Sequence, residues 1–531
     1  MTATTDTAGR RPGPPGGPTG GPPGGWQGRR GGPDLTTGPI GKTLIMFSLP
    51  VLGSNILQSL NGSANAVWVS HVLGEAALTA TSNANQILFL MLGAVFGVSM
   101  AANIMIGQAI GAGDQVLAKK VVGTSTAFFI LLSLSVGAAG FAFTPAILGA
   151  MGTPPDAKAG AIAYLRVIFA AMPFMYFFSF VMMAQRGAGD SRTPFYFSLL
   201  AVILDVTLNP LLIMGIGPFP RMGIAGSATS TLVSQTFTLA VMIAYLYRSN
   251  SILVIRPREW RLLVPDFSFV RSLVTKGLPM GFQMIVISLA AVTMMSFVNR
   301  YGVHTSAAYG AAAQLWTYVQ MPAMALGAAV SSMAAQNVGA GKMDRVEQVG
   351  RIGALYAILF TGLPILVIYL ADPWVLRAFL PGTSPSLPIA VHINSIVLWG
   401  FIPFGMAFIF SGIVRATGAV WPPLLAMIIS LWGVRVPLAT FLEPHLHADA
   451  IWLSFPAGSA TTLLLAGAYY RWGGWRKARM LSVRPSADAP DTGLGQAMMD
   501  ESEAITGEEL REITRSSESE PNRPKSEAPA E

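Results

Sequence analysis

The chain has 531 residues, of which 52% are hydrophobic and only 11% are charged, and its formal net charge is +8. Soluble globular domains carry about 25% charged residues, so this composition excludes a large soluble protein. The absence of cysteine excludes disulfides, thiolate nucleophiles and cysteine metal sites. In so apolar a chain, the positive charge indicates basic loops beside an anionic membrane surface rather than a nucleic-acid interface.

The two ends of the chain differ in composition from its middle. Residues 1–40 are rich in Gly and Pro and lack the apolar stretch of a signal peptide, so we predict a disordered tail there. Residues 479–531 are polar and rich in Glu, Ser and Pro, which predicts a second disordered tail. Between the tails we predict a first lobe at 41–248, a cytoplasmic linker at 249–267 and a second lobe at 268–478.

Twelve apolar stretches are nearly free of charge and long enough to cross a bilayer, which takes about 20 residues. The first half contains 43–70, 76–113, 121–155, 167–185, 193–220 and 222–247, and the second contains 277–299, 305–341, 352–371, 378–414, 416–434 and 450–470. The sequence therefore predicts an all-α membrane protein with twelve transmembrane helices.

An internal repeat relates the two halves. Residues 107–114 (GQAIGAGD) return as residues 335–342 (AQNVGAGK), a shift of 228 positions, and residues 48–50 (SLP) return as 277–279 (GLP), a shift of 229. Arg186 returns as Arg415 with the same shift of 229. A nearly constant offset indicates tandem repeats. Six stretches per half give both halves the same orientation, so we predict two pseudo-symmetric six-helix bundles.

The basic residues lie in alternate loops between these stretches. The basic set includes Lys119, Lys120, Arg186, Arg192, Arg248, Lys342, Arg345 and Arg415, whereas the opposite loops are poorer in Lys and Arg. Loops rich in Lys and Arg usually face the cytoplasm. We therefore predict a multi-pass protein of the cell membrane with both termini in the cytoplasm.

Asp205 is the only acid inside any of the twelve stretches. A carboxylate at membrane depth costs a few kcal/mol and usually faces a cavity or a partner. A carboxyl group that binds and releases a proton between conformations would couple transport to a proton gradient. The alternative is a permanently hydrogen-bonded Asp that only packs one helix against another.

Polar side chains predict a pocket around Asp205. Ser198 and Asn209 lie seven and four residues from it, which places all three on one helical face. The first stretch has a polar face of its own, and the second stretch extends it. The predicted pocket comprises Asn55, Gln58, Asn61, Asn65, Asn83, Gln86, Ser198 and Asn209. Ordinary hydrogen bonds between helices are the alternative explanation for these amides.

The second half has no acid within its apolar stretches, so we expect no buried acid and no coupling site there. Arg435 lies within one residue of the position that the repeat assigns to Asp205. It could contact a substrate or a gate, or it could extend its charge towards the interface. Gln314 and Tyr318 in the eighth stretch are further candidates for substrate or gate contacts. No motif for a metal or a cofactor is present, so we expect neither.

In its motifs the chain resembles the multidrug and toxic compound extrusion (MATE) family. The motifs include LPVLGSNILQSL in the first stretch, QRGAGDSRTP and LDVTLNPLLIMGIG around the fifth, and VRATGAVWPP in the second half. The resemblance covers all twelve stretches. It implies two bundles around a central cleft, and export of amphipathic, often cationic compounds by alternating access. It also implies coupling to protons or sodium ions.

The resemblance also bears on the coupling ion. Many members have Asp where Asn65 stands, and Asn followed four residues later by Asp where this chain has Asp205 and then Asn209. One acid instead of two favours protons over sodium. Our hypothesis is a monomeric, proton-coupled antiporter of organic compounds. The alternatives are a sodium-coupled drug antiporter and a flippase for a lipid-linked precursor, which would have extra spans and a strongly cationic cavity. An enzyme is disfavoured because no pair of catalytic groups is buried.

Overall fold

The computed structural model describes residues 34–150, 152, 153 and 155–481. Most of the two predicted tails, at 1–33 and 482–531, lies outside the described residues. The described part is helical and contains no strand. The first half consists of α1 (Ile40–Leu73), α2 (Glu75–Gly111), α3 (Gln115–Ala150), α4 (Pro155–Gly187), α5 (Arg192–Met214) and α6 (Ile224–Arg248).

The second half repeats this arrangement with two interrupted helices. It consists of α7 (Phe267–Asn299), α8 (Val303–Gly339), α9 (Met343–Leu376), α10 (Ser386–Val397), α11 (Phe401–Thr417), α12 (Trp421–Ile428), α13 (Val436–Leu446) and α14 (Ala448–Trp472). A 3₁₀ turn joins α10 to α11, and a π-helical segment, Ile429–Arg435, joins α12 to α13. Each joined pair forms one span, so each half has six.

The helices fit a protein that crosses a membrane many times. Eleven described segments are long and apolar enough to span a bilayer, by length and composition. The twelfth span is helix α8, with 37 residues. It is rich in Ala, Gly and Ser and contacts helices of both halves, so it needs less apolar surface than a helix that faces lipid. The predicted all-helical membrane fold is confirmed, and the eleven candidate spans together with α8 support the predicted count of twelve.

Three charged residues lie deeper than the sequence predicted. Asp372 belongs to the last turns of α9 and is 4% exposed, so the expectation that the second half has no buried acid is wrong. Arg186 and Arg415, which we assigned to loops, lie in the last turns of α4 and α11 and are 4% and 6% exposed. In the sequence, each of these three charged residues ends an apolar stretch. The helix itself continues through that residue where neighbouring helices bury its side chain.

The turns of the repeated motif lie at one face of the molecule, which also carries Lys119, Lys342 and Arg345. We call it the basic face. The helix pairs α2–α3 and α8–α9 turn there at Gly113 and Gly341, whose φ angles are +73° and +72°. Left-handed backbone of this kind favours glycine because it has no Cβ. The repeated GAG motif is thus a helix–helix turn that occurs once in each half.

The two halves close on each other at the basic face. Gln108 of α2 donates a hydrogen bond to the Ala416 carbonyl (2.7 Å), and Gln336 of α8 donates one to the Gly187 carbonyl (2.8 Å). Gln108 and Gln336 are repeat partners, and so are Gly187 and Ala416. The closure therefore follows the pseudo-twofold symmetry.

Glycines make this close contact possible. A methyl group at Gly111 would overlap the Gln336 carbonyl oxygen, and a methyl group at Gly339 would overlap the Gln108 carbonyl oxygen. Next to them, Arg345 of α9 donates to the carbonyls of Thr37 and Gly38 (2.8 Å each), which ties the start of the chain to the second half. In the described residues, the hydrogen bonds between the halves all lie towards this face.

Candidate functional site

Three helices of the first half meet at Asp205. Its side chain is 5% exposed. Asn61 of α1 donates to Oδ2 (2.9 Å), and Ser230 of α6 donates to Oδ1 (2.6 Å). The Thr231 hydroxyl lies 3.3 Å from both carboxylate oxygens. The carboxyl group on α5 is therefore surrounded by donors from the helices on either side, an arrangement that suits the ionised form.

A second polar cluster lies one turn further along α5. Asn209 donates to Oδ1 of Asn65 (2.8 Å), and the Ser227 hydroxyl donates to the same oxygen (2.5 Å). The Tyr164 hydroxyl of α4 also lies against Asn65. The Oδ1 atom of Asn209 is buried and has no hydrogen-bond partner in the structure. The two clusters form a continuous polar strip between α1, α5 and α6.

Ser230 connects the carboxyl group to the backbone. Its hydroxyl lies 2.6 Å from Oδ1 of Asp205 and 2.8 Å from the Ser227 carbonyl. A hydroxyl group has one proton, so it donates to only one of these acceptors at a time. The hydroxyl can donate to an ionised Asp205. Alternatively, it can donate to the Ser227 carbonyl and accept a hydrogen bond from a neutral, protonated Asp205. The site thus satisfies either charge state of the carboxyl group.

The structure brings together some of the predicted pocket and separates the rest. Asn61, Asn65 and Asn209 belong to the strip at Asp205. Ser198 is buried but donates to the sulfur of Met182 (3.5 Å), and Gln58 is exposed. Asn55 lines a different cavity, between the halves. The side chains of Asn83 and Gln86 lie outside the described residues.

Sequence reasoning missed the hydroxyl groups of α6. Ser227, Ser230 and Thr231 all contact the strip. They belong to the motif SATST, and their spacing of three and four places them on one helical face. That spacing was the available signal. Ser and Thr are common in membrane helices, so the pattern alone did not distinguish these hydroxyls from others.

A central cavity lies between the halves, above the closed basic face. Its lining includes Asn55, Gln283, Arg186 and Arg415, and the methionines Met100, Met183, Met280, Met284, Met324 and Met427. Its volume is about 80 Å³. Sites for drug-sized ligands enclose about 300–1,000 Å³, so this conformation has room for a few waters or a small group only.

The second half has an aromatic cluster where the first has Asp205. The Arg435 guanidinium lies over the Phe455 ring, with Cζ 3.3 Å from the ring centroid. Tyr309 and Trp316 pack around the same ring. Arg435 therefore contacts the interior of its own lobe. Gln314 and Tyr318, the other predicted contacts, are exposed on α8.

The buried acid of the second half has a separate network. Asn394 of α10 donates to Oδ1 of Asp372 (2.8 Å), and the Trp316 indole donates to Oδ1 of Asn394 (2.9 Å). One amide thus links an acid on α9 to an indole on α8. Oδ1 of Asp372 and Oδ1 of Asn394 each have a donor, which is the usual condition for burying polar groups.

Comparison with known proteins identifies the family to which this architecture belongs. The family model described as MatE matches residues 50–211 and 279–441, once in each half, and the two matches begin 229 positions apart. The chain belongs to the MatE family. It is therefore a multi-pass membrane transporter of the multidrug efflux type and not an enzyme. The family resemblance of the motifs is confirmed.

Individual MatE relatives match nearly end to end. The chain is 37% identical over 443 residues to the probable multidrug resistance protein YoeA of Bacillus subtilis, covering 83% of this chain and 95% of that protein. It is 32% identical to YpnP of the same organism, covering 85% and 99%. A solved MATE family transporter in an outward-facing conformation has the same fold, with a TM-score of 0.77, 19% identity, and coverage of 84% of this chain and 98% of that chain.

Proposed function

We propose that this chain exports amphipathic compounds across the cell membrane by antiport with protons, and that Asp205 carries the proton. The observation that supports this most directly is the buried Asp205 carboxyl group, with donors from α1 and α6 on either side. We also propose that it acts as a monomer, with the basic face and both termini in the cytoplasm.

The hydrogen bonds at Asp205 support a mechanism for coupling. Ionised Asp205 accepts from Asn61 of α1, from Ser230 and from Thr231. When the carboxyl group takes up a proton, the Ser230 hydroxyl donates to the Ser227 carbonyl instead. Its oxygen then accepts a hydrogen bond from the protonated carboxyl group. Asn61 then donates to a neutral group, a weaker hydrogen bond than one to a carboxylate. Protonation therefore loosens α1 from α5.

Helix α1 extends this change towards the gate. Helix α1 contacts α5 at Asp205, and it also packs against α8 of the second half. A change in how α1 is held at Asp205 therefore alters the contact between the halves. With the basic face closed, we assign the described conformation to a state that is closed to the cytoplasm. Separation at Gly111 and Gly339 would open it to the cytoplasm and enlarge the central cavity for substrate.

The test is ethidium-driven proton release in everted membrane vesicles, with and without sodium. Wild type should respond without sodium, and Asp205→Asn should lose the response by at least about tenfold. Exchange of one proton for one ethidium cation moves no net charge, so the response depends on a group at position 205 that binds and releases a proton, which an amide does not. Asp372→Asn is the matched control, because it neutralises the other buried acid while keeping an acceptor for Asn394.

The outcomes separate the candidates. A normal response in Asp205→Asn, at equal insertion, would show that the proton moves through another group. A wild-type response only in sodium would favour the sodium-coupled alternative. A loss in both Asp205→Asn and Asp372→Asn would show that any buried acid is needed for folding, and would remove the support for a specific proton carrier.

A further inference from the structure

Two buried arginines line the central cavity without an acid beside them. Arg186 and Arg415 are 4% and 6% exposed, and both line the space between the halves. The ion pairs found in the part of the chain that the structure describes involve other cations. Burying a charge without a partner costs several kcal/mol, so an unpaired buried cation calls for an explanation.

Their hydrogen bonds leave strong donors unused. Arg186 reaches only the weak acceptor Sδ of Met183 (3.9 Å), and Arg415 donates to Oε1 of Gln283 (3.1 Å). The Nε atoms of both arginines and Nε2 of Gln283 are buried without a partner in the structure. Three donors at one cavity therefore lack acceptors, and a guanidinium fork matches a carboxylate, sulfonate or phosphate group.

Local features account for only part of this charge. Each arginine lies in the last turn of its helix, where the helix dipole provides roughly half a negative charge. Arg415 also lies over the Phe408 ring, with Cζ 5.3 Å from its centroid. Neither a dipole nor a ring fills the unused N–H positions. The cavity lining therefore keeps a net positive charge and unpaired N–H donors.

The rest of the lining is apolar and adaptable. Met100, Met280, Met284 and Met324 surround the arginines, and flexible thioether side chains suit apolar groups of varied shape. No acid lines the cavity among the described residues. We propose that this cavity, once enlarged by movement of the two halves, binds amphipathic anions, with the anionic group held by Arg186, Arg415 and Gln283 and the apolar body held by the methionines.

This inference concerns the substrate class and rests on the proposed export function for its role in transport. It differs from the organic cations that the family resemblance implies. Arg186 and Arg415 are repeat partners, one from each half, so a bound anion would contact both halves at once. An anionic substrate would therefore hold the two halves together near the gate.

The test uses the full chain in nanodiscs of phosphatidylcholine, with two fluorescent probes. Anilinonaphthalene sulfonate carries an anionic group, and phenylnaphthylamine is its analogue without the sulfonate. At low salt, wild type should bind the sulfonate at least about tenfold more tightly than the uncharged probe, after subtraction of empty nanodiscs. The double variant R186Q/R415Q should lose this preference and keep its affinity for the uncharged probe.

Further variants control for charge and folding. R186K/R415K keeps both charges and should retain most of the preference. Arg166→Gln changes an exposed arginine of the same helix, α4, and should behave as wild type. If the double variant is not folded, the single variants R186Q and R415Q decide, because each should lose roughly threefold in sulfonate affinity alone.

The proposal is overturned if wild type shows no preference for the sulfonate, or if the preference survives in folded R186Q/R415Q. Equilibrium binding does not need the coupling ion, so Asp205→Asn should keep the sulfonate preference. Failure of the anion site therefore appears as lost binding preference in wild type, whereas failure of proton coupling appears only in transport.

Discussion

At the scale of single residues, the buried polar groups of the two lobes serve different ends. Asp205 is surrounded by several donors that can rearrange. Asp372 instead accepts from one amide, Asn394, which is itself held by the Trp316 indole. A network with a single arrangement favours rigidity, whereas shared hydroxyl protons allow a change of charge state. We therefore propose that coupling belongs to the first lobe and that Asp372 has a structural role.

Asn394→Leu should destabilise the second lobe. It leaves Asp372 and the Trp316 N–H buried without partners, which costs about 1–3 kcal/mol for each neutral group and more for a charged one. Thermal unfolding in detergent should show a lower Tm. Asp372→Asn retains an acceptor for Asn394 and should be nearly neutral. Equal Tm values for Asn394→Leu and wild type would contradict this role.

Part of the Asp205 site could be predicted from the sequence. Asp205 itself was identifiable because an acid in an apolar stretch is rare. Asn61 and Asn65 followed from their helical spacing, and the structure places both beside α5. Ser198 shares that spacing but contacts Met182, because a side chain's partner depends on the neighbouring helix. The site assignment as a whole stays a prediction until transport is measured.

At the scale of elements, a short 3₁₀ helix, Pro257–Leu263, fastens the segment between the halves to α3. Lys119 of α3 forms an ion pair with Glu259 in this segment. The Arg256 backbone N–H donates to the other Glu259 oxygen (3.1 Å). The hydrogen bond from Lys119 holds the pKa of Glu259 below its usual value, and the charges of Lys119 and Arg256 act in the same direction.

The attachment of this segment should weaken in acid. Because the pKa of Glu259 is lowered in the folded state, the ion pair stabilises the attachment above the unfolded value of about 4.3. That stabilisation is lost as the pH falls through the lowered pKa. Hydrogen exchange of residues 257–263, corrected for intrinsic rates, should lose no more than about fivefold in protection, since partly exposed ion pairs contribute up to about 1 kcal/mol.

Variants identify the group responsible. Glu259→Gln should show the reduced protection already at neutral pH and should not change further in acid. Glu347→Gln removes a different ion pair, with Arg476, and should leave this segment as in wild type. A pH effect that persists in Glu259→Gln would assign it to another group.

At the scale of the whole molecule, closure of the basic face depends on symmetry. Repeat partners occupy equivalent places on both sides of the axis, so one glutamine–carbonyl contact implies the other. Asn103 of α2 and Ser332 of α8, again repeat partners, are hydrogen-bonded across the axis at 3.4 Å. Alternating access requires these contacts to break, since the halves cannot separate at this face while they persist.

A disulfide across the axis should trap this state. The chain has no cysteine, so N103C/S332C provides a unique pair. Their side chains are in hydrogen-bond contact at 3.4 Å, so the two positions face each other across the axis. Oxidation should form the disulfide and reduce transport by at least about tenfold, because substrate binding cannot shift the crosslinked protein to the separated state. A reductant should break the disulfide and restore transport. The single variants are controls, and unchanged transport in the crosslinked protein would contradict alternating access at this face.

The sequence by itself determined the class of the protein, because apolar length, charge-free stretches and a repeat are local properties that the membrane imposes on every span. It also determined the tandem halves and identified Asp205 as a buried acid. The tertiary structure decided which polar groups meet. Ser230 contacts Asp205, Asp372 is buried beside Asn394, and Arg186 and Arg415 line the central cavity instead of a loop. Contacts of this kind depend on how separate helices are rotated and packed against each other. Hydropathy along the sequence does not predict that rotation.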